Sequence, residues 1–392
     1  MCSIEKTLDS LFSVWIEYTN RAINTDRAMI CNSRPRRFGK SITANMLVAY
    51  YSKGCDSTEL FDRFAIAASP DYKKYLNQYD VIHFDVQWCL TPAGGADHVV
   101  AYIQKCVIEE LEELEELYGD MLARKMDSLP DLLSYLYSVT GKKFVVVIDE
   151  WDVLIRDEAA NRRVQDEYID FLRGMFKGSE PTKFIALAYL TGILPIKKVK
   201  TQSALNNFDE FTMLDAKVFA PYIGFTEEEV RSLCKIYHKD FEKVKCWYDG
   251  YQLNHCQIYN PRAVVGVMTW GEYRSYWSET GTYESIQPLI SMDFDGLKAA
   301  IITMMSGERV KVRTRSYQND MVTFKNKDDV MTSLIHLGYL AYDQIQQTAL
   351  TQIKDKNYPA VFSQYTGNIL LVGINYDKKT KEHQCMIEQY EK

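Results

Sequence analysis

Short β-branched and aromatic runs alternate with longer amphipathic stretches through the first half of this chain, the pattern of strand-crossover-strand units that build a parallel sheet. The runs predict strands at 27–32, 80–86, 143–149 and 183–190, with a shorter fifth candidate at 210–214. Between the second and third, residues 98–118 and, after Pro130, residues 132–139 repeat their apolar positions at helical spacing. The first of these helices carries Glu109, Glu110, Glu112, Glu113, Glu115 and Glu116, which read as a solvated acidic face.

Beyond residue 214 the pattern changes. Residues 226–237 are helical, and Thr226 followed three positions later by Glu229 supplies a capping box at their start. Turn chemistry at Tyr248-Asp249-Gly250-Tyr251 and at Tyr259-Asn260-Pro261 separates short elements rich in Tyr and Trp, so the stretch reads as a small α+β module. Residues 369–375 are a continuous apolar run between turn residues and predict a buried strand.

The chemistry concentrates at two strand ends. Arg34-Pro35-Arg36-Arg37-Phe38-Gly39-Lys40-Ser41 follows the first strand and opens a helix whose Ile42, Met46, Leu47 and Tyr50 share a face. In a phosphate loop, successive backbone N–H groups and the positive helix N-terminus surround the phosphates, the lysine reaches their terminal oxygens and the hydroxyl ligates Mg²⁺. The usual pattern has glycine five positions before Gly39; here that position is Arg34, and Pro35 removes one N–H donor. The second site is Phe144-Val145-Val146-Val147-Ile148, a run fit for the centre of a parallel sheet, ending in Asp149-Glu150. Carboxylates at a strand's carboxyl end lie where such sheets bind ligands. Asp149 is expected to hold Mg²⁺ and Glu150 to orient or deprotonate the attacking water. Thr191, ending the next apolar run, is the candidate polar residue that senses the γ-phosphate beside Glu150, and Arg36, Arg37 and Arg156 are candidates for stabilising transition-state charge.

Composition narrows the alternatives. With 392 residues, 46% hydrophobic and 25% charged, the chain can bury a sizeable core. A formal charge of -7 argues against a surface that traps nucleic acid as a whole. It leaves local features such as 309–315, RVKVRTR, whose Arg309, Lys311, Arg313 and Arg315 alternation predicts one side of a charged edge strand. The longest apolar stretch, 184–196, is interrupted by Thr191 and Gly192 and is too short to cross a bilayer. Glu5, Asp9 and Glu17 break any secretory signal, and nine cysteines without paired spacing suit a reducing, cytoplasmic setting. His238, Cys246, His255 and Cys256 match no zinc spacing, and no G-x-S-x-G elbow is present.

These residues resemble a bacterial family of AAA-ATPase-like proteins that carry a PD-(D/E)xK nuclease-like domain at their C-terminus. The specific matches are SRPRRFGKS at 33–41, VVVIDEWDVLI at 145–155, TGILPIKK at 191–198 and QSALNNFDEFTML at 202–214, followed by CWYDGYQL at 246–253, IYNPRAV at 258–264 and LIHLGYLAYD at 334–343. The resemblance makes Arg34 family-typical and implies a helical, winged-helix-like middle region. Gln352 and Tyr358 match the family's Gln-x5-Tyr element, yet only residues 343–351 separate it from the middle region, so the nuclease core is expected to be lost. Asp377, Lys378 and Lys379 stand in the wrong order for the family's metal site, as does Asp355, and read as turn and solvated residues.

The expected fold is α/β: a P-loop NTPase parallel sheet with flanking helices over 1–215, a helical/winged-helix-like α+β region over 216–345 acting as a lid, and a nuclease-domain remnant over 346–392. ATP and Mg²⁺ are the expected ligands, with residues 34–42 as nucleotide contacts, Ser41 and Asp149 as metal contacts, and slow hydrolysis as the activity. Two alternatives stand beside it: a nucleotide-binding scaffold without turnover, and a DNA-binding regulator using the middle region and the basic stripe. Self-association and a protein or DNA partner through the middle region are compatible with all three, and no membrane is expected.

Overall fold

The computed structural model describes residues 3–113, 126–157, 161–198, 205–248, 251–253, 255–274, 296–305, 309–314, 317–319, 324–340, 342–343, 369–376 and 383–390, with the single positions 276, 289, 292 and 294. All five apolar runs of the first half form strands: β1 (Met29–Ser33), β2 (Asp80–Asp85), β3 (Phe144–Asp149), β4 (Ile185–Gly192) and β5 (Asp209–Phe211). They pair in parallel in the order β2-β3-β4-β1-β5, an α/β sheet covered by helices on both faces. The fourth strand starts later than its apolar run because Pro181–Phe184 forms a helical turn, and it continues to Gly192.

Burial on both faces explains the unbroken Val/Ile runs, since β1, β3 and β4 are buried at every position. Along β3 the side chains divide by alternation. Phe144, Val146 and Ile148 meet the helices Val99–Glu113, Leu129–Thr140 and Arg162–Phe176 on one face. Val145 and Val147 meet Leu47 and Tyr50 of the helix Lys40–Tyr51 and Trp15 of the helix Ser3–Ala22 on the other. Trp15 stacks on Phe219 with ring centroids 3.8 Å apart and meets Phe211 edge-on, which covers β5.

After β5 a three-stranded antiparallel sheet, β6 (Phe225–Thr226), β7 (Tyr251–Leu253) and β8 (Cys256–Tyr259), pairs in the order β6-β8-β7. The capping box forms as expected: Thr226 Oγ1 accepts from Glu229 N at 3.4 Å, and Glu229 Oε2 accepts from Thr226 N at 2.8 Å. Helices Glu227–Ile236, Phe241–Tyr248 and Pro261–Trp270 enclose Val230, Leu233, Val244, Val264 and Val267.

The basic stripe departs from its expectation. Residues 309–314 form no strand; Val310 and Val312 pack on the cluster of Leu297, Val330 and Leu334, while Arg309, Lys311 and Arg313 stay exposed. The two-residue alternation therefore reports an extended segment lying on a helical cluster, which requires the same pattern as a sheet edge but no ladder partner. Arg315 lies outside the described residues.

The chain divides into two compact units, Met1–Asp343 and Gln344–Lys392. In the second, β9 (Ile369–Tyr376), where an apolar strand is expected, pairs antiparallel with β10 (His383–Tyr390). Gln202, Gln352, Asp355, Tyr358, Asp377, Lys378 and Lys379 lie outside the described residues.

Candidate functional site

The strand order brings the two motifs together. With β4 inserted between β3 and β1, the carboxyl end of β4 stands between the loop that leaves β1 and the acidic end of β3. Arg34 N donates to Gly192 O at 2.9 Å and Ser33 Oγ to Leu194 O at 2.9 Å, tying the start of the loop to the end of β4. Gly39 closes the loop in the left-handed region at φ 77°, a conformation glycine adopts without Cβ strain. The helix Lys40–Tyr51 begins there, and Gly39 at its N-cap offers the first N–H groups no side-chain cap. Ser41 and Ile42 are exposed on that first turn. Lys40 is buried: its Nζ donates to Pro35 O at 3.3 Å and lies 3.6 Å from Glu150 Oε1.

The other loop residues divide by what they touch. Arg36 is exposed, and Arg37, held at φ 71°, donates to Tyr276 O at 2.6 Å. Phe38 is buried in a cluster with Met213, Ile223, Leu253 and Ile258, so it serves packing. Pro35 is buried against Gly338, where an added Cβ would stand 2.7 Å from the proline Cβ. Arg34, expected among the nucleotide contacts, is only 2% exposed and instead donates to the carbonyls of Ser33, at 2.7 Å, and Phe211, at 2.5 Å. Burial lowers its guanidinium to about 9, against a smaller opposing effect of Tyr189, Cys31 and Asp215. Its position in the sequence suggested a phosphate contact; its side chain bridges β1 to β5.

At the end of β3, Asp149 Oδ1 accepts from Glu150 N at 3.0 Å and from the Thr191 hydroxyl. Asp149 and Thr191 are buried, while Glu150 reaches the solvent side from a left-handed turn at φ 51°. The turn is locked by its neighbours: Trp151 N donates to Thr191 O at 2.9 Å, and Asp152, fully buried, accepts from Ile193 N at 3.0 Å and Leu194 N at 2.8 Å. Burial pushes the Asp152 carboxyl up, and the Arg156 guanidinium opposes the rise. Gly192 fits because it lacks a Cβ, which would lie 2.5 Å from Trp151 Nε1 and 2.7 Å from Asp152 Oδ1. Neither fully buried neighbour can retreat, so Gly192→Ala is expected to destabilise the protein by about 1–3 kcal/mol or more. An unchanged denaturation midpoint would show that this turn yields.

Residues of the loop and its helix, with Glu150 and Arg156, line a cleft of about 610 Å³, a size suited to a small-molecule ligand. Its lining carries five cationic side chains, Arg36, Arg37, Lys40, Arg156 and Arg262, against two carboxylates, Asp85 and Glu150. In a chain of net charge -7, that local excess is electrostatically suited to an anion. Ile42, Pro261 and Val265 add an apolar part. A second cleft of about 600 Å³ has the opposite sign, with Asp131, Glu167, Asp170 and Glu180 and no cation among the described residues that line it. Among the described residues no group of three or more His, Cys, Asp and Glu is arranged to hold a metal by itself.

Sequence reasoning missed Asp85, Gln87 and Arg262. Asp85 ends β2 in register with Asp149, and the strand-end rule that found Asp149 could have found it. Burial raises its carboxyl, with the charges of Asp149 and Glu150 adding to the effect. Arg262 stands on the first turn of a helix capped by Asn260, whose Oδ1 accepts from Ala263 N at 3.2 Å. Only tertiary packing brings that helix end to a loop more than two hundred residues earlier, so the IYNPRAV match at 258–264 gave Arg262 no role by itself.

Residues 17–201 match the model of the AAA-ATPase_like family, described as predicted AAA-ATPase. An uncharacterised protein from the vnfD 5′ region of Azotobacter chroococcum mcd 1 is 25% identical over 255 residues, 64% of this chain and 47% of that protein. The match thus spans about half the length of that relative. A chain in a structure of Drosophila ORC bound to DNA aligns over 96% of this chain and 82% of its own length, at 11% identity and a TM-score of 0.31. No helix among the described residues is long and apolar enough to cross a membrane.

Proposed function

On the premise of an AAA-ATPase-like sheet domain over residues 17–201, we propose that this protein binds ATP with Mg²⁺ in the cationic cleft and hydrolyses it slowly as a conformational switch. The observation that carries the reading is the convergence of the helix start at Gly39, a buried lysine and the strand-end Glu150 on one cleft whose lining is rich in cations, with Asp149 buried directly before Glu150. The loop N–H groups and Lys40 take the phosphates, and Ser41 and Asp149 are the residues that fit Mg²⁺. A nucleotide-bound Mg²⁺ takes one or two protein ligands and completes its shell with phosphate and water, neutralising phosphate charge. Glu150 accepts the proton of the attacking water, while Thr191 and the Glu150 amide hold Asp149 in place. Ile42, Pro261 and Val265 offer apolar surface to the base.

Arg262 couples the site to the module after β5, because a cation on that module's helix shares a cleft wall with Lys40. Phosphate bound between them would draw the module onto the loop, the differential contact a switch needs. The test is magnesium-dependent ATP binding by the purified protein, followed by phosphate release. Saturable binding with slow release supports the reading. Binding without release would leave a nucleotide-binding scaffold, and a folded protein that binds no ATP would refute the assignment. Salt-sensitive duplex binding without nucleotide binding would favour the DNA regulator.

A further inference from the structure

We infer that Arg156 supplies, from the same chain as the phosphate loop, the cation that stabilises the transferring phosphoryl group, so that turnover needs no arginine from a second copy. This rests on the ATPase reading above. Arg156 lies six residues after Glu150, at the end of the helical turn Val153–Arg156, and its side chain is 7% exposed on the wall of the cleft.

Three observations favour it over Arg36 and Arg37. Its Nη1 is 3.6 Å from Glu150 Oε2, while Lys40 Nζ is 3.6 Å from Oε1 of the same carboxylate. One carboxylate thus lies between two buried cations, and a terminal phosphate entering the cleft competes for both. Arg156 is also held in advance: Nη1 faces Asp152 Oδ2 at 3.4 Å, and Nε donates to Asp157 Oδ1 at 2.9 Å. Asp152 is itself fixed by two backbone amides at the end of β4, so the guanidinium needs little reorganisation to act. Finally, the nearby carboxylates outweigh the cost of burial and raise its guanidinium above the usual arginine range, which keeps it charged. Arg36, by contrast, is exposed, and Arg37 is engaged with the Tyr276 carbonyl.

In the step this serves, water forms a new P–O bond as the bond to the ADP oxygen breaks, and the bonding pair leaves on ADP. Glu150 takes the proton of the water. Arg156 and Lys40 face the charge on the transferring oxygens, and the loss of their contacts to Glu150 frees that carboxylate to act as base. The group therefore has two states of contact, one to the carboxylate and one to phosphate.

The experiment compares the native protein with Arg156→Ala and Arg156→Lys for MgATP affinity, single-turnover phosphate release and trapping of ADP with aluminium fluoride. Arg156→Lys keeps a charge beside buried Asp152, which guards against loss of the fold. The expected result is nearly native affinity in both, release slowed about 10³-fold in Arg156→Ala and at least about tenfold in Arg156→Lys, and no trapping in Arg156→Ala. Mixing Lys40→Ala with Arg156→Ala is expected to restore nothing. Native release rates in the folded variants would overturn the assignment, and recovery on mixing would show that the arginine acts on a neighbouring copy. Native protein that binds ATP without releasing phosphate would overturn this role while sparing the nucleotide site. Absence of ATP binding by the native protein would overturn both.

Discussion

The Lys40→Ala protein is expected to keep its fold and to lose MgATP affinity by about a hundredfold or more. Lys40 is buried with its ammonium held between Pro35 O and the Glu150 carboxylate, so it stands in advance on the cleft wall that a phosphate would meet. Removing one partner of a desolvated charge pair costs about 3 kcal/mol or more, which is roughly two powers of ten in affinity. The apo protein tolerates the change because Glu150 retains Arg156 at 3.6 Å and the loop stays tied through Arg34 N and Gly192 O. Titration calorimetry with ATP and magnesium, beside a thermal melt, reads both quantities. Native affinity in Lys40→Ala would mean that nucleotide does not bind at this loop.

Glu150→Gln is expected to separate binding from turnover. The amide keeps the size of the side chain but takes no proton, so phosphate release should fall by about 10²- to 10⁴-fold with MgATP affinity intact. Backbone strain is no different in the two proteins, since Gln meets the same left-handed turn at φ 51° that Glu150 occupies. The discriminating measurement is single-turnover release under saturating ATP. A variant that releases phosphate at the native rate would remove Glu150 from the chemistry and leave it as a spacer between Lys40 and Arg156.

Much of the sheet domain is legible in short windows of sequence. The Val/Ile run of 144–148 reads as a strand for the centre of a parallel sheet, and the structure covers it with helices on each side. Thr226 and Glu229 declare a helix start because the capping box closes within four residues. The strand-loop-helix around Gly39 and the acidic end of β3 are local in the same sense. Chemistry that depends on a loop's own backbone, or on the residue where a strand stops, can be read without knowing the fold.

Tertiary structure decided the rest. Inserting β4 between β3 and β1 joins Thr191 to Asp149, and no periodicity encodes that order. The arginines illustrate the limit best: Arg34 and Arg36 are two residues apart, yet one is buried between Ser33 and Phe211 carbonyls and the other is exposed on the cleft. Arg156 and Arg262 reach the same cleft from elements that share no local pattern with the loop. The sequence by itself determined the strands, the loop and the acidic strand end, because those follow from side-chain alternation and turn chemistry over a few residues. Which charges converge was left to long-range packing, because the direction of a side chain depends on what the rest of the fold places against it.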